Sequence, residues 1–232
     1  MAVSAFLQIR EAQQQTGNHN NFRVVGMALA NFNSISGRLP KPTYYDPDTL
    51  QPLTSWRYHI LPVWASYKRE TFFDLAWNHP KNSYWLGAPH PYAPKGWTDG
   101  VLDTRPPNQI PTITNVYAIT GEDTAFGNGL EIPPQRLEDL PRDLILVAEI
   151  ENSGHHWMRP GDFEQGKLED FGSKSNLQIS GVHASGIHIL FADQEVWLIS
   201  NSTPFDSLSK FFTISSATQS DRNEILADYR IR

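Results

Sequence analysis

Phe22, Val25, Leu29 and Phe32 recur at i, i+3, i+7 and i+10, one apolar stripe at helical spacing. This stripe constrains the chain most, because a helix bearing it is stable only when another layer covers it. The spacing predicts a helix over residues 2–36, with Phe6, Ile9 and Gln13 on one side of its first half. Gly37 is placed to end it in a left-handed conformation, and Pro40 and Pro42 forbid its continuation. Thr16-Gly17-Asn18 is the weak point, where a kink or restart is expected, since Gly costs about 1 kcal/mol against Ala inside a helix.

The covering layer comes late in the chain. Asn115–Thr120, Leu144–Glu151, Gly186–Ala192 and Glu195–Ser200 are rich in β-branched and apolar residues and read as strands. Ile187–Phe191 is apolar throughout except for His188, as in a central strand. Asp193-Gln194 has the length of a two-residue hairpin turn. Thr203-Pro204-Phe205-Asp206 predicts a helix over 204–212, with Thr203 as N-cap and Phe205, Leu208, Phe211 and Phe212 on its apolar face. A terminal helix from Asp221 is also expected. Between helix and strands, residues 40–54 read as loop and Thr71–Trp77 as a short helix. The span 78–111 carries seven Pro and reads as an irregular excursion. The layout is therefore a single domain of class α+β: a long N-terminal helix over 1–36, a loop-rich region with short helices over 37–112, an antiparallel sheet over 113–201, and a C-terminal helix and tail over 203–232.

Composition excludes several function classes. With 19 Lys+Arg against 25 Asp+Glu the net charge is −6, which argues against a nucleic-acid partner. Cys is absent, which removes disulfides, thiolate metal sites and a Cys nucleophile. No apolar run approaches the roughly 20 residues of a membrane span, and no signal peptide is evident, so the chain as given reads as soluble.

The order of several short motifs is similar to a known family. Arg10-Glu11-Ala12, Asn20-Asn21-Phe22, Val25–Phe32 and Gly37-Arg38-Leu39-Pro40 come first. Ser55–Pro62, Thr114–Gly121 and Leu144–Glu149 with Trp157–Asp162 follow. His183, nine residues and then Asp193 complete the series. Together they resemble the DUF1559 family of prepilin-like proteins, abundant in planctomycete-type bacteria, whose signature is a His, nine residues, then Asp-Gly. The resemblance implies a pseudopilin-like fold and a non-enzymatic structural or assembly role, similar to subunits of type IV pili or type II secretion systems. It also implies an extracytoplasmic place in the cell envelope and other pilin-like subunits as partners through the N-terminal helix. The chain departs from the family in three ways. The prepilin peptidase site and apolar membrane segment are missing, Asn18 stands where members often carry a Cys, and Gln194 replaces the signature Gly.

Other constellations carry the side chains of metal, glycan or catalytic chemistry. His155-His156 with Asp162 and Glu164 has metal-ligand chemistry, but neighbouring His side chains diverge in an extended segment, so no metal and no cofactor is expected. Glu122/Asp123, Glu149/Glu151 and Glu169/Asp170 could supply the paired carboxylates of glycoside hydrolysis. Trp77, Trp85 and Trp97 are candidate ligand or partner contacts, and as exposed coplanar rings they would support the alternative reading, an extracytoplasmic carbohydrate-binding or glycan-processing domain. There is no Gly-x-Ser-x-Gly elbow and no phosphate loop. No catalytic residue is assigned, and the expected product is not an enzyme.

Overall fold

The computed structural model describes residues 2–64, 70–88, 112–150, 153–168, 179–180 and 186–231, with the side chains of 2–11, 13–14 and 63–64 outside that description. α1 (Ala2–Ser36) leads into a hairpin of β1 (Thr43–Tyr45) and β2 (Pro52–Ser55). α2 (Trp56–His59), α3 (Leu61–Trp64) and α4 (Ser83–Gly87) follow as single turns. Then come β3 (Val116–Thr120), β4 (Ile145–Glu149), β5 (Phe163–Glu164), β6 (Gly186–Phe191) and β7 (Val196–Ser200). The chain closes with α5 (Phe205–Ser209), α6 (Ile214–Thr218), α7 (Arg222–Ile225) and β8 (Arg230–Ile231).

The fold is α+β. α1, over residues 15–36, packs on a mostly antiparallel six-stranded sheet of order β5-β3-β4-β6-β7-β8. Only the β3–β5 pair is parallel. The expected stripe is the seam: Phe22, Val25, Ala28 and Leu29 are fully buried, with Phe32 partly buried beside them. α1 runs unbroken through Gly17 where a kink was expected, because tertiary packing on the sheet outweighs the small local penalty of one Gly. It stops at Gly37, which takes φ +74° and returns its N–H to the Asn33 carbonyl at 2.8 Å.

Every residue of β3, β4 and β6 is buried, so the sheet is covered on both faces. Gly26 lets the β6–β7 turn come close to α1: a Cβ there would sit 2.6 Å from Gln194 Oε1 and 3.1 Å from Leu190 Cδ1.

Several expectations are corrected. Residues 40–54 hold the β1–β2 hairpin, whose short, Pro-flanked strands carry little alternation. Thr71–Trp77 forms turns rather than a helix. The helix expected over 204–212 spans only Phe205–Ser209; Pro204 occupies the N-cap position, and the Thr203 hydroxyl donates instead to the Ser200 carbonyl at 2.7 Å. The β6–β7 connection is a three-residue loop closed by Phe191 and Glu195, with Gln194 at φ +72°, so the third loop residue takes the left-handed conformation that a Gly would adopt freely. The sheet also extends past residue 201, because β8 adds an edge strand to β7. Asp221 caps α7 as expected, its side chain accepting from the Asn223 N–H.

Candidate functional site

Asp193 sits in the β6–β7 loop and turns back toward the C-terminal segment, where it grips Arg222. Arg222 Nη1 donates to Asp193 Oδ1 at 3.0 Å, and Nη2 contacts Asp193 Oδ2. Glu195 lies 3.2 Å and Asp143 3.4 Å from the same guanidinium. Arg222 is fully buried, with its guanidinium carbon 4.5 Å from the Phe191 ring centroid and 5.0 Å from that of Trp197. This geometry makes Asp193 an anchor for the last turn of the chain. His183 and Trp97 lie outside the described residues.

The remaining sequence candidates are not brought together. Trp85 is 2% exposed and donates its indole N–H to the Glu70 carbonyl, so it offers no open platform. Trp77 is half-buried and stacks on His156, ring centroids 5.3 Å apart. His156 shares a hydrogen bond of 3.2 Å with the Leu86 carbonyl, and Glu164 pairs with Lys167 at the surface. Asp123 accepts from the Ser215 N–H and hydroxyl. Glu151, Glu169 and Asp170 lie outside the described residues. Among the described residues no group of three or more His, Asp or Glu side chains is placed to hold a metal ion.

Asp162 belongs to a buried knot with Arg57. Its Oδ1 accepts from Arg57 Nη2 at 2.7 Å, from Trp56 Nε1 at 3.0 Å and from the Ala118 N–H at 2.9 Å. Arg57 also donates to the Val116 and Gly161 carbonyls, and its guanidinium lies over the Trp56 and Tyr117 rings. Burial pushes the Asp162 carboxyl up to about 6, against the pull of Arg57 and the other donors. The knot ties α2 to β3 and the segment before β5, which is a structural task.

The arrangement with open chemistry is at the α1–sheet seam. Glu149 on β4 and His188 on β6 are the lone polar breaks in two otherwise apolar strands, and they meet. His188 Nδ1 lies 3.2 Å from Glu149 Oε2, which also accepts the His188 backbone N–H at 3.0 Å. Asn18 of α1 donates to Glu149 Oε1 at 3.0 Å, so one carboxylate joins helix and sheet. Asn18 is thus a polar bolt between α1 and the sheet.

Above His188 a groove of about 870 Å³ opens between α1 and the β7–β8 edge, lined in part by Thr16, His19, His188, Trp197, Asn223 and Arg230. The His19 and His188 ring centroids are 6.4 Å apart. Burial, then His188, Arg23 and Arg230, hold the His19 imidazole below its ordinary range. None of these residues except the break at His188 and Glu149 was visible as a pattern. A buried acid in one strand and a buried His in another must find partners, and that complementarity was the available signal.

No family model matches the chain, and neither a curated protein nor a solved structure matches it.

Proposed function

We propose that the chain is the head of a pseudopilin-like structural subunit of the bacterial cell envelope, which associates with like subunits through α1. The observation that carries this reading is the character of the outer face of α1. A solvent-facing helix normally presents a charged face. From Ala12 to Ser36, however, Arg23 is the one Asp, Glu, Lys or Arg in the sequence. Met27 is 55% exposed and Ile35 73% exposed on the same helix, among Asn and Ser side chains. Depletion of charge is one mark of a protein–protein interface core, and the exposed Met27 agrees with it.

The helix itself is long, about 52 Å at 1.5 Å per residue. Its described buried side chains, by contrast, fall between Asn18 and Leu29. Among the described residues no helix is long and apolar enough to cross a membrane. The buried guanidiniums of Arg222 and Arg57, held by Asp193 and Asp162, serve scaffold roles, which fits a structural protein.

Because the chain contains no Cys, single introduced cysteines report contacts uniquely. Met27→Cys and Ile35→Cys should yield cross-linked dimers in the cells that make the protein. Leu50→Cys and Leu130→Cys, exposed but away from α1, should not. Cross-links confined to positions 50 and 130, or none at all, would sink the reading. In dilute solution the head should be monomeric or a weak helix-mediated dimer, since a stable interface buries more than about 1,000 Å². Light scattering should show that Met27→Lys together with Ile35→Lys removes any such dimer without unfolding the head.

A further inference from the structure

The groove between α1 and the β7–β8 edge has properties that the assembly reading does not use. Its volume, about 870 Å³, falls in the range of small-molecule sites. None of its twelve described lining residues is Asp or Glu, although acids outnumber bases in the chain. Instead it gathers Arg230, His19 and His188.

Arg230 is exposed, and among the described residues no carboxylate lies within ion-pair distance of it. Its guanidinium carbon sits 4.3 Å from the Trp197 ring centroid, so the plane is held against the indole while its N–H edge stays available. A guanidinium fixed in this way matches the planar, two-oxygen geometry of a carboxylate or phosphate. Val196, Leu198 and Ile231 add an apolar wall beside the cationic group. Trp197 completes the support, since Arg222 braces its other neighbourhood from within the protein.

We infer that this groove binds a small molecule carrying a carboxylate or phosphate on an apolar body, with Arg230 and His19 receiving the anionic group. His188, fixed by Glu149, forms the floor. One guanidinium and two imidazoles, all hydrogen-bond donors to an anion, come from three elements (α1, β6 and β8) and converge on one opening.

The titratable and charged groups around His19 are Arg23 on α1, Glu149 on β4, His188 on β6 and Arg230 on β8. Burial first, and then Arg23 and Arg230 among its neighbours, hold it low, so a bound anion should raise the His19 titration midpoint.

The test uses the full chain and two probes, inorganic phosphate and benzoate, titrated at constant ionic strength while the imidazole signals are followed by NMR. The expected result is a saturable shift of the His19 signal with at least one probe and an upward move of its midpoint. Phosphate alone would indicate a phosphate ligand, and benzoate alone a carboxylate on an apolar body. Arg230→Gln should weaken binding at least tenfold. His19→Gln, followed through His188, should weaken it several-fold. Arg142→Gln, an exposed cation that pairs with Asp143 elsewhere, should leave binding unchanged. No saturable shift with either probe, or equal weakening by Arg142→Gln and Arg230→Gln, overturns the inference. Neither outcome bears on cross-linking through α1, so the assembly reading stands or falls separately.

Discussion

Asp193→Ala should destabilise the protein through Arg222. The substitution removes a two-point partner from a guanidinium that is fully buried between Phe191 and Trp197. Stripping a buried ion of its only partner costs about 3–5 kcal/mol. Here the loss is smaller, because Asp143 and Glu195 remain within 3.4 Å and the Asp193 side chain is itself 24% exposed. The expected cost is about 2–3 kcal/mol, or roughly 4–12 °C in Tm for a domain of this size. Urea unfolding followed by Trp fluorescence reads it as a lower midpoint at unchanged slope, and Trp197 reports from the site itself. Arg222→Met keeps the apolar stack and removes the charge. In that background Asp193→Ala should cost nothing or be favourable, since three carboxylates then face one another with the exposed Arg142 as their remaining cation among the described residues. A wild-type-like midpoint for Asp193→Ala, or the same cost in both backgrounds, would show that the ion pair does not hold the C-terminal turn.

Three further outcomes follow from the packing. Leu29→Ala, at the fully buried centre of the α1 seam, should cost about 2–5 kcal/mol in urea unfolding. Gln194→Gly should stabilise by about 1 kcal/mol, because a non-Gly residue at φ +72° is strained, and thermal melting reads the gain. In that variant Gly26→Ala should be tolerated, whereas alone it pushes into the Gln194 side chain. His59 is half-buried, stacks on Tyr44 and shares a 2.8 Å hydrogen bond with Thr54; desolvation of its ring lowers its pKa to about 3. Its unfolded value is near 6.5, so the unfolded state binds the extra proton between those values. Its contribution is complete above pH 6.5 and lost as pH falls toward 3, at no more than about 1.4 kcal/mol per unit. His59→Gln should flatten the stability profile in that window.

What could be seen in the sequence was periodic and local. Phe22, Val25 and Leu29 announce their helix because three turns repeat one chemical choice, and Gly37 marks its end for a conformational reason. Asp221 capped α7 as its local pattern required. Contacts between distant segments left no such mark. Arg57 meets Asp162 across 105 positions, and Arg222 meets Asp143 across 79. A single charged residue carries no period from which its partner could be found. The two-residue strands β5 and β8 are too short to alternate, and Trp85 gave no sign of its burial because aromatic residues occupy cores and surfaces alike. At the groove, His188 was visible as an interruption, but His19 and Arg230 look like ordinary surface residues until β8 is paired beside β7.

The α1–β6 seam has a consequence for synthesis. α1 leaves the ribosome before the sheet does, and the strands that bury its stripe begin at Gly186, well over a hundred residues later. At about 5–20 residues per second, Phe22, Val25 and Leu29 wait on the order of ten seconds or more for their cover. Asp193 then waits a further 29 residues for Arg222, which completes its grip. A nascent chain that stalls before residue 186 therefore exposes an uncovered apolar helix face that other chains or chaperones can occupy.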